Sequence, residues 1–376
     1  MAASRQRMVR MRSGWLRRWL AALTTPPFSR DLPIDLHPLH GKSTLSLLWR
    51  RTRPWLTLLL ARQGGLIRSD IPANARRILW IYKGTPQVGD ALMDLSSRVM
   101  LRGRVEVDLL TDPHLAQLFA ADEIFQRVLS DSAQLKVDDY DLVIADSYKA
   151  RCLRAKLQLL RRVPVVTMRG YFSGPEFNRT LFSFYRMQQL LGDTSLPLPD
   201  VMRPALFATE TDAHIAARLP IVPHAVAFAI GGVAPERTYA HWDAVIAAWQ
   251  QVQPGAQVIL LGSPNGRRDA DQIAASVAPG AALIDCVGKH SLCETFEIVR
   301  RCRAMVCCDG GLLHVALAAG VPVLALFDAA VAPAMRLVGA DATRAIQSAG
   351  SVSAISPQQV LVGLRVMMAA QPSPAS

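Results

Sequence analysis

The chain has 376 residues, is 51% hydrophobic and carries a formal net charge of +12 at pH 7. This length and apolar content suffice for two domains with separate hydrophobic cores. Residues 1–77 hold 15 Arg or Lys and 3 Asp, whereas the remainder holds 27 basic and 27 acidic residues. A neutral body without a known nucleic-acid motif argues against nucleic-acid binding.

The basic N-terminal segment has the composition of a membrane-surface element. It carries four tryptophans, Trp15, Trp19, Trp49 and Trp55. Apolar residues between Met8 and Leu23 follow helical spacing, with arginines off that stripe, which predicts an amphipathic helix on an anionic membrane surface. The alternative is a disordered basic tail.

Targeting signals are not evident. Arg17 and Arg18 leave only a short apolar run behind them, and Pro54 to Ala61 is too short to span a bilayer. We therefore expect a cytoplasmic protein, peripheral at the inner face of the cytoplasmic membrane. The six cysteines show no CxxC pairing, so we expect reduced core thiols rather than a zinc site or disulfides.

From Ile78 onward, apolar runs alternate with helical patterns, which predicts an α/β fold with parallel sheets covered on both faces. The first set comprises strands Ile78–Tyr82, Val105–Leu110, Tyr140–Ala145 and Val163–Met168, and helices Pro113–Ala120, Lys149–Arg162 and Thr180–Leu191. The second set of strands is Ala225–Ile230, Val258–Leu261, Ala282–Ile284, Ala304–Cys308 and Val321–Leu326. The predicted divisions are 1–76, 77–204 and 205–376.

The loop after the first strand runs from Gly84 to Gly89 with the GxxxxG spacing of a phosphate loop. The position that needs Lys is Asp90, however, and a carboxylate there would repel nucleotide phosphates. GxGxxG is absent as well. A Gly-Asp turn that opens a helix instead suggests a carboxylate at the carboxyl edge of the sheet, where open α/β folds bind ligands. Alternatively, Asp90 only complements the helix dipole.

The most informative stretch is Cys307 to Asp328, which reads as a strand, helix, strand unit. Asp309, Gly310 and Gly311 form its turn, and Gly320 suits a left-handed helix cap. Adjacent glycines allow close backbone approach, and the free N–H groups at a helix start favour an anion such as phosphate. His314 lies about one helical turn further on, and its alternative role is purely structural.

This stretch resembles the C-terminal signature of family 9 glycosyltransferases, the bacterial heptosyltransferases. The matching residues are Asp309, Gly311, His314, Ala316, Ala318, Gly320, Pro322 and Phe327. Gly310 replaces the family's Thr or Ser, which contacts the donor diphosphate, and Asp328 replaces a Gly. The Gly288–Leu292 run also resembles a family motif, Gly-Lys-Thr-Ser-Leu.

The resemblance covers roughly residues 77–330 and implies the GT-B architecture, two Rossmann-like domains facing across a cleft. The first would bind the acceptor and the second the nucleotide-sugar donor, with 1–76 as a basic extension. Asp90 corresponds to the family's general base. The implied donor-binding residues are Arg237, Lys289, Asp309, Gly310, Gly311 and His314.

The resemblance further implies an inverting glycosyltransferase that moves heptose from ADP-heptose to a lipopolysaccharide core or related glycolipid acceptor. No acidic pair stands out as a metal site, and Arg237 can offset phosphate charge, so we expect no cofactor and no metal. The alternatives are a family 9-like transferase with another donor or acceptor, and a noncatalytic relative that binds sugar-nucleotide or lipid.

Overall fold

The computed structural model describes residues 19–136, 139–174, 176–192, 197–232, 234–277, 282–338 and 343–370. The chain forms two compact units. The first consists of Met1–Pro86, Ser97–Ala120 and Ile124–Pro199, and the second of Gln87–Ser96, Ala121–Glu123 and Asp200–Ser376. The segment Gln87–Ser96, which carries Asp90, thus belongs to the second unit, although the chain on either side of it belongs to the first.

The described part of the N-terminal segment, residues 19–77, belongs to the first unit. It contains β1 (Ile34–Asp35), α1 (His37–His40) and α2 (Thr44–Leu60). The Ser43 side chain caps α2 by accepting a hydrogen bond from the Ser46 N–H. No helix among the described residues combines the length and apolar character needed to cross a bilayer.

Most of the helix predicted from Met8 to Leu23 lies outside the described residues. Residues 19–23 of this stretch are described, and among them Trp19 is half-buried and packs on α2. The Trp19 and Trp55 rings meet edge to face at 5.6 Å, and the Arg51 guanidinium lies over the Trp19 ring at 4.1 Å. Aromatic and cation–π contacts of this kind join this part of the segment to α2.

The core of the first unit is a five-stranded parallel sheet in the order β4-β3-β2-β5-β6. Its strands are β2 (Arg77–Tyr82), β3 (Glu106–Thr111), β4 (Phe125–Leu129), β5 (Leu142–Ala145) and β6 (Val165–Thr167). A short strand, β7 (Glu176–Phe177), pairs antiparallel with β1. The helices along this part of the chain are α3 (Val88–Asp94), α4 (Pro113–Leu118), α5 (Ala150–Leu159) and α6 (Arg179–Leu190).

The second unit is built on a six-stranded parallel sheet in the order β10-β9-β8-β11-β12-β13. The strands are β8 (Val226–Ala229), β9 (Val258–Leu261), β10 (Leu283–Asp285), β11 (Ala304–Cys308), β12 (Val323–Phe327) and β13 (Arg344–Gln347). The helices are α7 (Glu210–Ala217), α8 (Trp242–Val252), α9 (Arg267–Ser276), α10 (Leu292–Arg300), α11 (Gly311–Ala319) and α12 (Pro357–Ala369). The predicted α/β class with two parallel sheets is confirmed.

Apolar side chains on both faces of each sheet build the cores. The four residues of β8 are all buried, and so are those of β9. Two clusters pack on opposite faces of the second sheet, one around Trp242 and Trp249 and one around Leu313 and Phe327. Burial on both faces explains why these strands read as continuous apolar runs rather than alternating ones.

All six cysteines are free thiols in the structure. Four of them are fully buried, and Cys293 and Cys308 are half-buried. Burial raises the pKa of Cys308 to about 12 and that of Cys152 to about 11. Burial also raises the pKa of Cys307 well above its ordinary value. These thiols therefore stay protonated at neutral pH.

Candidate active site

Glycines allow two turns at the carboxyl edge of the second sheet to lie in close contact. Gly231 follows β8 with φ +79, and a Cβ atom there would lie 2.8 Å from the Cα of Gly266 in the turn after β9. Both the left-handed backbone and the close approach require glycine at position 231. The Asn265 side-chain amide then donates to the Gly232 carbonyl at 2.7 Å, which fixes the two turns side by side.

The strand order places a ligand crevice between two neighbouring strands. From β8 the chain passes outward to β9 and β10, and β11 then lies on the other side of β8. In such sheets ligands bind where the order reverses, beyond the carboxyl ends of the strands. Arg237 ends the short 3-10 turn that follows β8, and Asp309 comes directly after β11. The two residues thus flank the reversal point.

Asp309 joins two arginines at this edge. Its Oδ2 lies 3.5 Å from Arg237 Nη1, and its Oδ1 lies 3.3 Å from Arg336 Nε. The Asp309 side chain is 3% exposed and that of Arg336 is 9% exposed, whereas that of Arg237 is 42% exposed. Arg336 therefore neutralises the buried carboxylate, and Arg237 is held more loosely with its guanidinium accessible to solvent. An accessible arginine with five donors suits a diphosphate ligand.

The turn after Asp309 presents backbone amides. Gly310 is extended, with φ 179, and caps α11. The first amides of a helix have no intrahelical acceptor, so the start of α11 favours an anion. A Cβ atom on Gly310 would have only the Cys308 carbonyl oxygen near it, at 4.0 Å. The helix ends at Gly320 with φ 72, the left-handed cap predicted from the sequence.

The predicted base and the predicted donor-site histidine lie on two helices of the second unit that pack together. Asp90 is a half-buried residue in the first turn of α3. The preceding residue, Gly89, is buried, and a Cβ atom there would lie 2.7 Å from Cδ2 of His314 and 3.5 Å from the Cα of Gly311. The close approach of Gly89 brings the start of α3 against the turn that carries Gly310 and Gly311.

Lys289 has a different set of partners. Its Nζ lies 2.8 Å from Asp285 Oδ2, and the same oxygen is 2.7 Å from Arg267 Nη1. Burial disfavours ionisation of Asp285, but hydrogen bonds from Lys289, the Val287 N–H and Arg267 outweigh this and lower the pKa of Asp285. Within the described chain, Lys289 forms no ion pair with Asp309. Its role in donor binding stays a prediction.

Asp328 is engaged within its own loop. Its Oδ1 accepts hydrogen bonds from the Ala330 N–H at 2.9 Å and the Val331 N–H at 3.2 Å. These two amides stabilise the carboxylate at the end of β12. The departure from the family's glycine is therefore accommodated by a local turn.

Sequence reasoning did not identify Arg336 or Asp285 as parts of the site. Arg336 lies 27 residues after Asp309, in a loop without helical or strand periodicity. Asp285 is the last residue of β10, and its spacing of four residues from Lys289 was the available signal. In the described ranges, no three His, Cys, Asp or Glu side chains are placed to hold a metal ion.

Comparison with known proteins assigns this architecture. Residues 185–352 match the family described as glycosyltransferase family 9 (heptosyltransferase). Lipopolysaccharide heptosyltransferase 2 of Escherichia coli (strain K12) is 30% identical over 95 residues, which are 25% of this chain and 27% of that protein. The chain thus matches about a quarter of the length of this curated relative.

Two solved structures share the fold. The glycosyl transferase family 9 protein from Veillonella parvula superposes with a TM-score of 0.64 at 16% identity, over 81% of this chain and 100% of that one. The E. coli ADP-heptose lps heptosyltransferase II gives a TM-score of 0.61 at 20% identity, over 78% and 98% of the two chains.

The parallel sheets therefore give the chain a fold like that of these GT-B-like glycosyltransferase structures. Residues 185–352 carry a glycosyltransferase family 9 (heptosyltransferase) domain. The resemblance predicted from Cys307 to Asp328 is confirmed.

Proposed function

We propose that this enzyme transfers heptose from ADP-heptose to a lipopolysaccharide core or a related glycolipid acceptor, with inversion at the anomeric carbon. The observation that carries the proposal is the packing of Gly89 against His314. Through this contact the first turn of α3, which contains Gly89 and Asp90, lies against the turn that carries Gly310 and Gly311. A candidate base and a candidate diphosphate site thus share one unit.

The charges of the reaction suit these groups. Cleavage of a nucleotide-sugar leaves negative charge on the departing diphosphate and develops positive charge on the sugar. In our proposal, Arg237 and the amides of Gly310 and Gly311 bind the diphosphate, supported by Lys289. Asp309 and His314 shape this turn from the buried side, Asp309 through its contact with Arg237 and His314 through its packing on Gly89. A cationic guanidinium also offsets phosphate charge without a metal ion.

Asp90 is the proposed general base. A free Asp has a pKa of about 3.9, far below that of a sugar hydroxyl, so it accepts the proton only as the new glycosidic bond forms. Attack by that hydroxyl on the face opposite the diphosphate inverts the anomeric centre.

The replacement of the family's hydroxyl residue by Gly310 favours a second candidate function, that of a noncatalytic relative that binds a sugar-nucleotide.

Transfer assays separate these candidates. The full chain is incubated with ADP-heptose and with a panel of other nucleotide-sugars, using deacylated lipopolysaccharide core as acceptor and isotope-labelled sugar as tracer. We expect labelled product from ADP-heptose, with an inverted linkage by NMR. Transfer from another nucleotide-sugar, and none from ADP-heptose, would show that the donor is that other nucleotide-sugar. Donor binding without any transfer would support the noncatalytic candidate.

We also propose that the enzyme is cytoplasmic and binds the inner face of the cytoplasmic membrane through its N-terminal segment. The support is α2, whose exposed large apolar residues include Leu45, Trp49 and Leu60, 78%, 64% and 73% exposed. An apolar stripe of this kind beside basic residues is typical of interfacial helices.

Cosedimentation with phosphatidylglycerol vesicles at low and high salt tests the membrane proposal. Basic residues lose their attraction in salt, whereas a buried apolar face keeps its contribution. Leu45→Ser with Trp49→Ser should therefore abolish the salt-resistant binding. Val362→Ser with Val366→Ser on α12 is the matched control, since both residues are also exposed. Equal binding by the two double variants at high salt would refute the proposal.

A further inference from the structure

A cavity lies at the amino edge of the second sheet, the edge opposite to the candidate active site. Its volume is about 580 Å³, and pockets of about 300 to 1,000 Å³ hold small organic ligands. Two lining residues, His224 and Ala256, lie two positions before β8 and β9, and Arg303 directly precedes β11. Arg237 and Asp309 follow β8 and β11 at their carboxyl ends. The cavity is therefore separate from the proposed donor site.

The lining of this cavity is basic. Among the described residues that line it are Arg303, Arg365 and His224, but no Asp or Glu. Arginines gathered around one concavity raise the local potential and favour an anionic ligand. A guanidinium group can donate to two oxygens of one phosphate at the same time. The composition of the lining therefore favours a phosphorylated ligand.

The two arginines differ in how firmly the fold holds them. Arg303 is half-buried, and its backbone N–H donates to the Ala225 carbonyl at 2.8 Å. Its Nη2 lies 3.5 Å from the carbonyl oxygen of Met368, near the end of α12. Arg365, on α12 itself, is exposed. The cavity thus combines one guanidinium that the fold positions with a second one that is accessible to solvent.

Two helices end at this cavity. Gln253 is the residue that follows α8, and Met368 and Ala369 are the last two residues of α12; all three line the cavity. The last carbonyl groups of a helix have no intrahelical donor and carry partial negative charge. Such oxygens accept hydrogen bonds from hydroxyl groups but would repel a second phosphate. The site therefore suits a ligand with one anionic group and several hydroxyls.

Trp249 supplies an aromatic wall and an unsatisfied donor. It lies in the last turn of α8, lines the cavity and is 3% exposed. Its indole Nε1–H has no hydrogen-bond acceptor among the described residues. A buried donor without an acceptor destabilises the protein by its lost hydration. A ligand oxygen that reaches this indole would supply the missing acceptor.

We propose that this cavity binds a small, free sugar phosphate. Arg303 and Arg365 bind the phosphate, the Trp249 indole donates to a sugar oxygen, and the carbonyls at the ends of α8 and α12 accept from the sugar hydroxyls. The volume accommodates a ligand larger than inorganic phosphate. The inference does not depend on the proposed donor or acceptor, because none of these residues belongs to the candidate active site.

Calorimetric titration of the full chain with glucose 6-phosphate tests this assignment. Glucose and inorganic phosphate are titrated separately for comparison. His224→Gln with Arg365→Gln, the cavity variant, removes two exposed basic side chains from the lining. His214→Gln with Arg218→Gln is the matched control, since this histidine and arginine are exposed at the end of α7 in the same unit. Thermal unfolding verifies that both double variants remain folded.

We expect glucose 6-phosphate to bind the unmodified chain more tightly than glucose or inorganic phosphate does. The cavity variant should bind it about tenfold more weakly, as expected when charged donors to a phosphate are removed. The control should stay within about twofold of the unmodified chain. Trp249→Phe, which keeps the aromatic packing but removes the N–H, should weaken binding about threefold. Arg237→Ala, in the proposed donor site, should leave the affinity unchanged.

Four results would overturn the inference. The first is equal affinity of the cavity and control variants for glucose 6-phosphate. The second is equal binding of inorganic phosphate and glucose 6-phosphate, because the cavity would then hold an adventitious ion only. The third is a loss of affinity in Arg237→Ala but not in the cavity variant, which would place the probe in the donor site. The fourth is displacement of the probe by phosphatidylglycerol vesicles, because the cavity would then recognise a lipid headgroup.

Discussion

Gly89 and His314 are in such close contact that a single methyl group on Gly89 would lie 2.7 Å from Cδ2 of the His314 ring. The glycine is buried near the start of α3, and the histidine is buried within α11, 2% exposed. Gly89 therefore sets the distance between the helix of the proposed base and the helix of the proposed diphosphate site. In the Gly-Asp pair, the first residue determines packing and the second carries the carboxylate of the proposed base.

Gly89→Ala should lower the free energy of unfolding by about 1 to 3 kcal/mol, because an added methyl group in a tight core forces displacement. In a His314→Ala background the same substitution should cost clearly less, since the methyl group then has space. Urea unfolding of the two single variants and the double variant measures this coupling. Additive losses within about 0.5 kcal/mol would show that the two side-chain positions do not interact.

Asp90→Asn should abolish sugar transfer while donor affinity changes less than twofold. Asparagine keeps the size of the side chain but accepts no proton from the acceptor hydroxyl. Single-turnover transfer and ADP titration measure the two effects separately. Asp70→Asn, at an exposed position in the first unit, serves as the control. Near-normal transfer in Asp90→Asn would remove this residue as the base.

Arg237→Ala should weaken ADP binding by about 1.5 to 3 kcal/mol, as expected for a hydrogen bond to a charged group, and leave adenosine binding nearly unchanged. Equal losses for ADP and adenosine in Arg237→Ala would place this arginine outside the phosphate site.

The half-exposed pairing of Arg237 with Asp309 contributes at most about 1 kcal/mol to stability. Arg336→Met should instead reduce the free energy of unfolding by about 3 kcal/mol, because it removes a buried cation from a buried carboxylate.

Gly310→Thr should be tolerated and should tighten ADP binding. The extended backbone at Gly310 is accessible to any residue, and the nearest atom to an added Cβ is 4.0 Å away. A hydroxyl group adds one donor to the turn without removing its amides. Thermal unfolding should stay within a few degrees of the unmodified chain, and calorimetry should show the gain in affinity. A large loss of stability would contradict the open geometry of this turn.

Lys156 predicts a pH dependence of folding. It is 1% exposed, and burial lowers its pKa from 10.5 to about 8. The unfolded chain therefore binds more protons between about pH 8 and 10.5, and the stability contributed by Lys156 rises across that window and falls as pH drops through about 8.

Urea unfolding at pH 7.5 and 9.5 checks the Lys156 prediction against Lys156→Met. The variant shares the thiol titrations of the unmodified chain, so the difference between the two proteins isolates the lysine. This difference should grow in favour of the unmodified chain at the higher pH. A constant difference would show that Lys156 titrates normally.

The central strands were predictable from the sequence because burial on both faces produces uninterrupted apolar runs. Val258–Leu261 and Ala304–Cys308 have the same bounds in the sequence prediction and in the structure. The edge strands β4 and β13 were not predicted. Gln126 and Arg127 interrupt the apolar pattern of β4, and β13 is mostly exposed, so neither strand leaves a two-sided burial signal.

The site was only partly predictable because its pairings join distant parts of the chain. The motif identified Asp309, whereas its partner Arg336 lies in a loop whose approach depends on the folded second unit. Asp90 was assigned through the resemblance, but the reason for the glycine before it emerged only from the contact with His314. Helix α2 was not predicted, since Pro54 lies inside it and the buried partners of its Leu58, Tyr148 and Leu153, are distant in sequence.

The protonated state of the native thiols makes site-specific labelling of this protein straightforward. Alkylating reagents attack the thiolate, and burial holds the pKa of Cys286 and Cys293 at about 11 and that of Cys302 at about 12. A cysteine introduced at the exposed position of Leu45 would keep an ordinary pKa and react first. A polarity-sensitive fluorophore attached there would report contact between α2 and a bilayer without removal of a single native cysteine.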